Sequence, residues 1–179
     1  RLAHSAQREL YRSAYERWSQ SGDLDDARRV VLHGRDVLRQ LPALQPGDPD
    51  PAAVALSAGV ARASAQVWRA TDDAPSRELA AILFRTALRA DPKNRTVLRA
   101  AAEFFDEIGE PGAALDSWRS LLAGLPVGSA DWFEVKVRVV AILAVQDPVR
   151  ARAVLDQHRT LYPERGPEPW GDQLRALDA

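Results

Sequence analysis

The chain has 179 residues, 46% hydrophobic and 27% charged, and its 24 basic and 25 acidic side chains leave a net charge of −1. That balance excludes the global positive field that draws nucleic acid or an anionic membrane. The absence of cysteine excludes disulfides, thiolate metal sites and thiol catalysis.

In chain order, Tyr11, Ala14, Tyr15 and Trp18 lie at helical spacing and predict a helix over about 2–20. Ser21-Gly22-Asp23 is the turn. Asp23 is placed to cap a second helix over about 24–41, and Asp25 and Asp26 suit its positive N-terminus. The Pro-rich stretch 41–51 reads as a loop and as the best candidate boundary, expected to be a firm connection and not a hinge. Ala52–Thr71 reads as an alanine-rich helix carrying Val54, Leu56, Val60, Val67 and Trp68. A turn at 71–75 and a helix from Pro75 to Ala90 follow, with Ala80, Phe84, Ala87 and Leu88 inward.

The stretch 95–126 is the most regular. Leu98, Ala101, Ala102 and Phe105 occupy one helical face, Gly109-Glu110-Pro111 forms a tight turn, and Ala114, Leu115, Trp118, Leu121 and Leu122 occupy the next. Ala80 and Ala114, Phe84 and Trp118, and Pro92 and Pro126 each stand 34 residues apart. In the segment WFEVKVRVV the alternation is strand-like, but a lone strand among helical pairs would have no partner, so a helix starting at Trp132 is expected. Asp131 and Glu134 are spaced as its capping box. That helix carries two apolar stripes, Trp132, Val135, Val139, Ile142 and Phe133, Val137, Val140, Ala144. Asp147 and Pro148 open the next helix, where Ala151, Leu155 and Pro163 repeat Ala114, Trp118 and Pro126 after 37 residues. Gly166-Pro167-Glu168-Pro169 breaks the chain, and Trp170, Leu174 and Leu177 predict a short terminal helix over about 168–178.

The small residue, aromatic, glycine, alanine, aromatic and proline of 95–126, repeated with a period of 34, resemble the tetratricopeptide repeat. Units near 61–94 and 95–128 match well, and those near 8–41 and 132–165 match loosely. Gly34 stands where the motif prefers alanine, and Tyr15 where it prefers a small residue. The resemblance implies an all-α chain, a single α-solenoid of about four antiparallel hairpins (about 1–41, 52–94, 95–128 and 132–165) plus the terminal helix. It also implies a concave groove lined by the first helix of each pair. The residues falling there are Glu9, Arg12 and Glu16; Arg62, Arg69 and Asp72; Arg99, Glu103 and Asp106; and Phe133, Lys136 and Val140. Some relatives clamp a peptide carboxylate with lysine and asparagine. Here the one asparagine, Asn94, lies in a loop, which argues against that activity.

No phosphate loop, dinucleotide fingerprint, nucleophile elbow or HExxH is present, so no catalytic, cofactor-binding or metal-ligating residue is assigned and an enzyme is the weakest class. His4, His33 and His158 are isolated in sequence. The pairs Asp25/Asp26 and Asp72/Asp73 fall at helix starts, where capping explains them. Asn94-Arg95-Thr96 matches a glycosylation sequon, a pattern short enough to arise by chance. The seven-residue apolar run Val139 to Val145 is far too short to span a bilayer, so neither membrane insertion nor nucleic-acid binding is expected.

Two interface readings remain. Neither end reads as a polar cap: Leu2, Ala3, Ala6 and Leu10 open the chain, and Trp170, Leu174 and Leu177 close it. Head-to-tail self-association through those ends, into an oligomer or filament, is the preferred expectation. A monomeric adaptor holding a peptide or helix in its groove is the alternative. The stripe of Phe133, Val137 and Val140, with Lys136 beside it, is either covered by the terminal helix or open to a partner. The terminal helix is correspondingly a cap or a hook. The sequence begins at Arg1 and lacks methionine, and its arginines greatly outnumber its lysines, as in a GC-rich, bacterial coding sequence. It is expected to be a fragment or to have lost an N-terminal segment. A cleaved secretion signal would favour a secreted, extracellular or periplasmic location.

Overall fold

The structure, a computed structural model, describes every residue except 1, 43, 45–49 and 179, and leaves out the side chains of 2–4. Among the described residues the chain is all-helical, with no strand: α1 Leu2–Ser21, α2 Leu24–Leu38, α3 Pro51–Thr71, α4 Ala74–Ala90, α5 Arg95–Glu107, α6 Pro111–Ala123, α7 Ala130–Gln146, α8 Pro148–Leu161 and α9 Trp170–Asp178. Capping chemistry sets most of the starts. Asp23 accepts from the backbone N–H groups of Asp25 and Asp26, Asp50 from Ala52, Asp73 from Ser76 and Asp147 from Arg150. Each such bond stabilises its helix by about 1 kcal/mol. Proline stands in the first turn of α3, α4, α6 and α8, where its missing N–H costs nothing.

Three local expectations are corrected. The segment 132–140 is helical, but α7 starts at Ala130 and is capped by Ser129, whose hydroxyl accepts from the Trp132 N–H at 3.2 Å; Asp131 sits in the first turn and is not the cap. Asp72 ends α3 in a left-handed conformation, φ 54°, and only Asp73 caps α4. The second helix ends at Leu38, short of Leu41.

The chain divides into two compact units, residues 1–104 and 105–179, so the division falls inside α5 and not at the Pro-rich stretch 41–51. Most of that stretch lies outside the described residues. In the first unit α1 packs on α2, α2 on α3 and α3 on α4. Ala14, Trp18, Ala27, Val30, Ala63 and Val67 form one core, flanked by Tyr11, Tyr15, Leu24 and Val31. Phe104 closes a second group, with ring centres 5.4 Å from Phe84 and 5.9 Å from Trp68. The middle of α3, Leu56 to Ala61, is buried without interruption. A helix apolar all round is one enclosed by neighbours, and small side chains at Ala58, Gly59, Ala61 and Ala63 permit it.

Two glycines let the helices of this unit approach. A Cβ added to Gly34 on α2 would lie 2.2 Å from Val60 Cγ2 and 3.2 Å from the Tyr11 ring. One added to Gly59 on α3 would lie 2.6 Å from the Tyr11 hydroxyl oxygen. The tyrosines Tyr11 and Tyr15 therefore fill space that glycines on the facing helices leave. This accounts physically for both departures from the repeat pattern noted in the sequence.

In the second unit α7 is central, packing on α6, α8 and α9. Both of its apolar stripes are used: Val135, Val139 and Ile142 are buried, and so are Phe133, Val137 and Val140. Gly109, φ +73°, supplies the left-handed residue between α5 and α6.

Candidate functional site

Along α3, Arg62, Gln66 and Arg69 recur at i, i+4 and i+7 and so share one face. With Trp18 of α1 and Ala100 and Glu103 of α5 they line a groove of about 310 Å³ in the first unit. Its chemistry is assembled by the indole of Trp18. The ring N–H donates to Gln66 Oε1 at 2.6 Å, and Gln66 Nε2 donates to the Gly22 carbonyl at 2.6 Å, tying the α1–α2 turn to α3. The Arg62 guanidinium lies over the indole, 5.6 Å from its centre. Arg62, Arg69 and Glu103 are exposed, whereas Trp18 is only 7% exposed. The result is a largely buried aromatic floor under the Arg62 side chain, with Arg69 lining the same groove. Of the groove residues read from the sequence, Arg62, Arg69 and Glu103 are brought together here. Arg12 pairs with Glu9 on the exposed side of α1, Asp72 is a cap, and Asp106, Phe133, Lys136 and Val140 belong to the second unit.

The stripe on α7 has an owner. Val137, Val140, Leu155 and Leu174 form one buried cluster, with Val154, Trp170 and Leu177 packed against it. Leu174 is 0% exposed. Of the two readings of the terminal helix, the structure displays the cap, so Val137, Val140 and Leu174 do not face solvent while α9 stays docked. Phe133 is covered instead by the loop after α8, where a Cβ on Gly166 would meet its ring at 2.4 Å. Lys136 is half-buried, its ammonium 5.5 Å from the Trp132 ring centre, and burial lowers its pKa. Leu10 is 49% exposed. The side chain of Leu2 lies outside the described residues.

Sequence reasoning missed a polar network in the second unit. His158 is 2% exposed and stacks on Tyr162, with ring centres 5.0 Å apart; Trp132 and Phe133 complete the cage at 6.0 and 5.8 Å. Its Nε2 lies 3.1 Å from the Arg165 carbonyl, and its Nδ1 has no partner. Burial lowers the pKa of His158. The bond to Arg165 opposes that shift, and the charges of Lys136 and Arg165 reinforce it. The Arg165 guanidinium lies 2.7 Å from Asp178 Oδ2, and Arg152 and Arg159 approach the same carboxylate at 3.1 and 3.7 Å. Burial would raise the Asp178 carboxyl. The hydrogen bond and charge of Arg165, with Arg159 and Arg152, outweigh it and hold the carboxyl below its usual range. No local motif announces this network: its members are scattered over α8, a loop and α9.

The other chemistry-bearing residues serve structure. Asn94 of the sequon accepts from the Val97 N–H and donates to Asp91, so it caps α5. Asp26 is held between Arg29 at 2.8 Å and Arg17 at 3.4 Å. His33 lies 3.5 Å from Gln7, and the side chain of His4 is outside the described residues. Among the described residues no cluster of histidine and carboxylate side chains has the arrangement of a metal site, and no helix is long and apolar enough to cross a membrane. Comparison of the chain with protein-family models, with curated proteins and with solved structures gave no match.

Proposed function

We propose that the chain is a non-catalytic protein-interaction module, built of tetratricopeptide-like hairpins stacked as a solenoid, that holds an acidic peptide or helix in the groove of α1, α3 and α5. The observation that carries this reading is the placement of Arg62 over the buried Trp18 indole, in a groove that Arg69 also lines. A fixed aromatic surface beside guanidinium groups suits a segment presenting carboxylates next to an apolar side chain. The test is selection of displayed peptides on the immobilised chain, repeated with Arg62→Glu. Acidic sequences should be enriched on the wild type and lost on the variant. Failure to enrich any sequence, or binding indifferent to the charge reversal, refutes the reading.

Self-association is the second reading, supported by the exposed apolar side chains Leu10 and Leu32 on the first helical pair, 49% and 60% exposed. Leu174 is buried, so this reading rests on the first helical pair. Light scattering over a concentration series decides. A mass above 19.7 kDa that falls back on Leu10→Ser and Leu32→Ser supports association, and a monomer throughout rejects it.

A further inference from the structure

The loop after α8 is a mechanical link between a buried imidazole and the terminal helix. Arg165 stands at its centre in a left-handed conformation, φ 66°, which a residue with a side chain adopts only at a cost of about 1–2 kcal/mol. Its carbonyl accepts from His158, its N–H donates to the Tyr162 carbonyl at 2.8 Å, and its guanidinium reaches Asp178 on α9. The neighbouring Glu164 carbonyl accepts from Arg175 of α9 at 3.3 Å. The next residue, Gly166, lies against the Phe133 ring so closely that no Cβ fits. The conformation that places the Arg165 side chain on α9 is therefore the one whose backbone His158 holds.

We propose that His158 is the proton-sensitive pin of a latch closing α9 over α7, and that protonating its buried ring releases the terminal helix and uncovers Val137 and Val140. The Arg165 carbonyl fixes the neutral tautomer with its proton on Nε2, leaving Nδ1 bare. A second proton would create a buried N–H with no acceptor, which costs roughly 1–3 kcal/mol or more. The charged and titratable groups facing the ring are Lys136 from α7, Tyr162 at the end of α8 and Arg165 from the loop. None supplies a negative charge. Asp178 of α9 lies behind Arg165, already neutralised by its arginines.

The direction of the effect follows. The pKa of His158 is lowered in the closed form from its ordinary 6.5, chiefly by burial. The open form thus binds the proton more tightly. The latch is fully closed above about 6.5 and loosens as pH falls toward the closed-form value. One proton taken up per opening makes the opening constant rise by at most about tenfold per pH unit.

The experiment is hydrogen–deuterium exchange of the full chain at pH 7.5 and 5.0, corrected for the intrinsic pH dependence of amide exchange. Peptides covering 170–178 should lose protection at pH 5.0 while those covering 51–71 keep theirs. His158→Gln retains a donor for the Arg165 carbonyl and cannot titrate, so its α9 should stay protected at both values. Equal protection of 170–178 in the wild type at both pH values overturns the proposal, as does acid release that persists in His158→Gln. An NMR titration of the wild type gives an independent reading. The Trp170 indole resonance and the His158 ring must shift with one midpoint, and two different midpoints overturn the proposal.

Discussion

Alanine in place of glycine normally stabilises a helix interior by about 1 kcal/mol. At Gly34 the sign should reverse. The new methyl carbon would lie 2.2 Å from Val60 Cγ2, roughly 1.5 Å inside the distance at which carbons rest. Val60 is 0% exposed and β-branched, so its χ1 has little freedom within α3 and the methyl cannot swing away. Overpacking of this kind costs about 1–3 kcal/mol. An approach as close as 2.2 Å, to a methyl that cannot move away, belongs at the upper end of that range, about 2–3 kcal/mol. Against the propensity gain of about 1 kcal/mol, Gly34→Ala should therefore lower stability by about 1–2 kcal/mol. Gly112, in α6, is the control: nothing lies within 4 Å of its added Cβ, and Gly112→Ala should be neutral or stabilising by up to about 1 kcal/mol. The assay is urea unfolding followed by tryptophan fluorescence, with the midpoint compared at constant slope. Val60→Ala removes the obstructing methyl. The double variant should therefore be more stable than the sum of the single changes predicts, by about 1–2 kcal/mol. A Gly34→Ala chain as stable as the wild type, or a double variant that is simply additive, would refute the packing argument.

Leu174→Ala should cost about 2–5 kcal/mol, because the side chain is fully buried against Val137, Val140 and Leu155; its unfolding midpoint in urea measures this. Ser129→Ala should cost about 1 kcal/mol in thermal unfolding and Asp131→Ala clearly less, since the serine and not the aspartate caps α7; equal losses would restore the capping box. Asp178 should contribute stability that is present above its ordinary pKa of 3.8 and is lost as pH falls through its lower folded value, a window distinct from that of His158. Asp178→Asn should abolish that acid-side change in the Trp170 signal while leaving the His158 titration in place.

The helices were legible because they rest on local chemistry. Apolar spacing, Asp23, Asp147 and the prolines that open four helices act within a few residues, where a sequence can be read directly. The strand-like run at 132–140 is helical, as its context demands: both faces of α7 are buried, so alternation carries no information about period. The register of capping was not settled, because Ser129 and Asp131 are equally good acceptors on paper and only the backbone selects between them. Contacts between distant segments were least visible. Gly34 is visible as a misfit, yet its reason lies on α1 and α3. Gly59, inside an alanine-rich helix, was the available sign of close approach. The cover over Val137 and Val140 could be framed as two alternatives, since hydrophobicity shows that a face must be buried and not by whom.

The enclosure of α3 also bears on how the chain is made. Residues emerge from the ribosome in order, and α3 follows α1 and α2 into the open with one flank covered. Until α4 is synthesised, the flank it will cover is an adhesive apolar surface. Nascent chains in which Thr71 has cleared the ribosome but residues 74–90 have not are therefore the ones that chaperones should retain, and emergence of 74–90 should set them free.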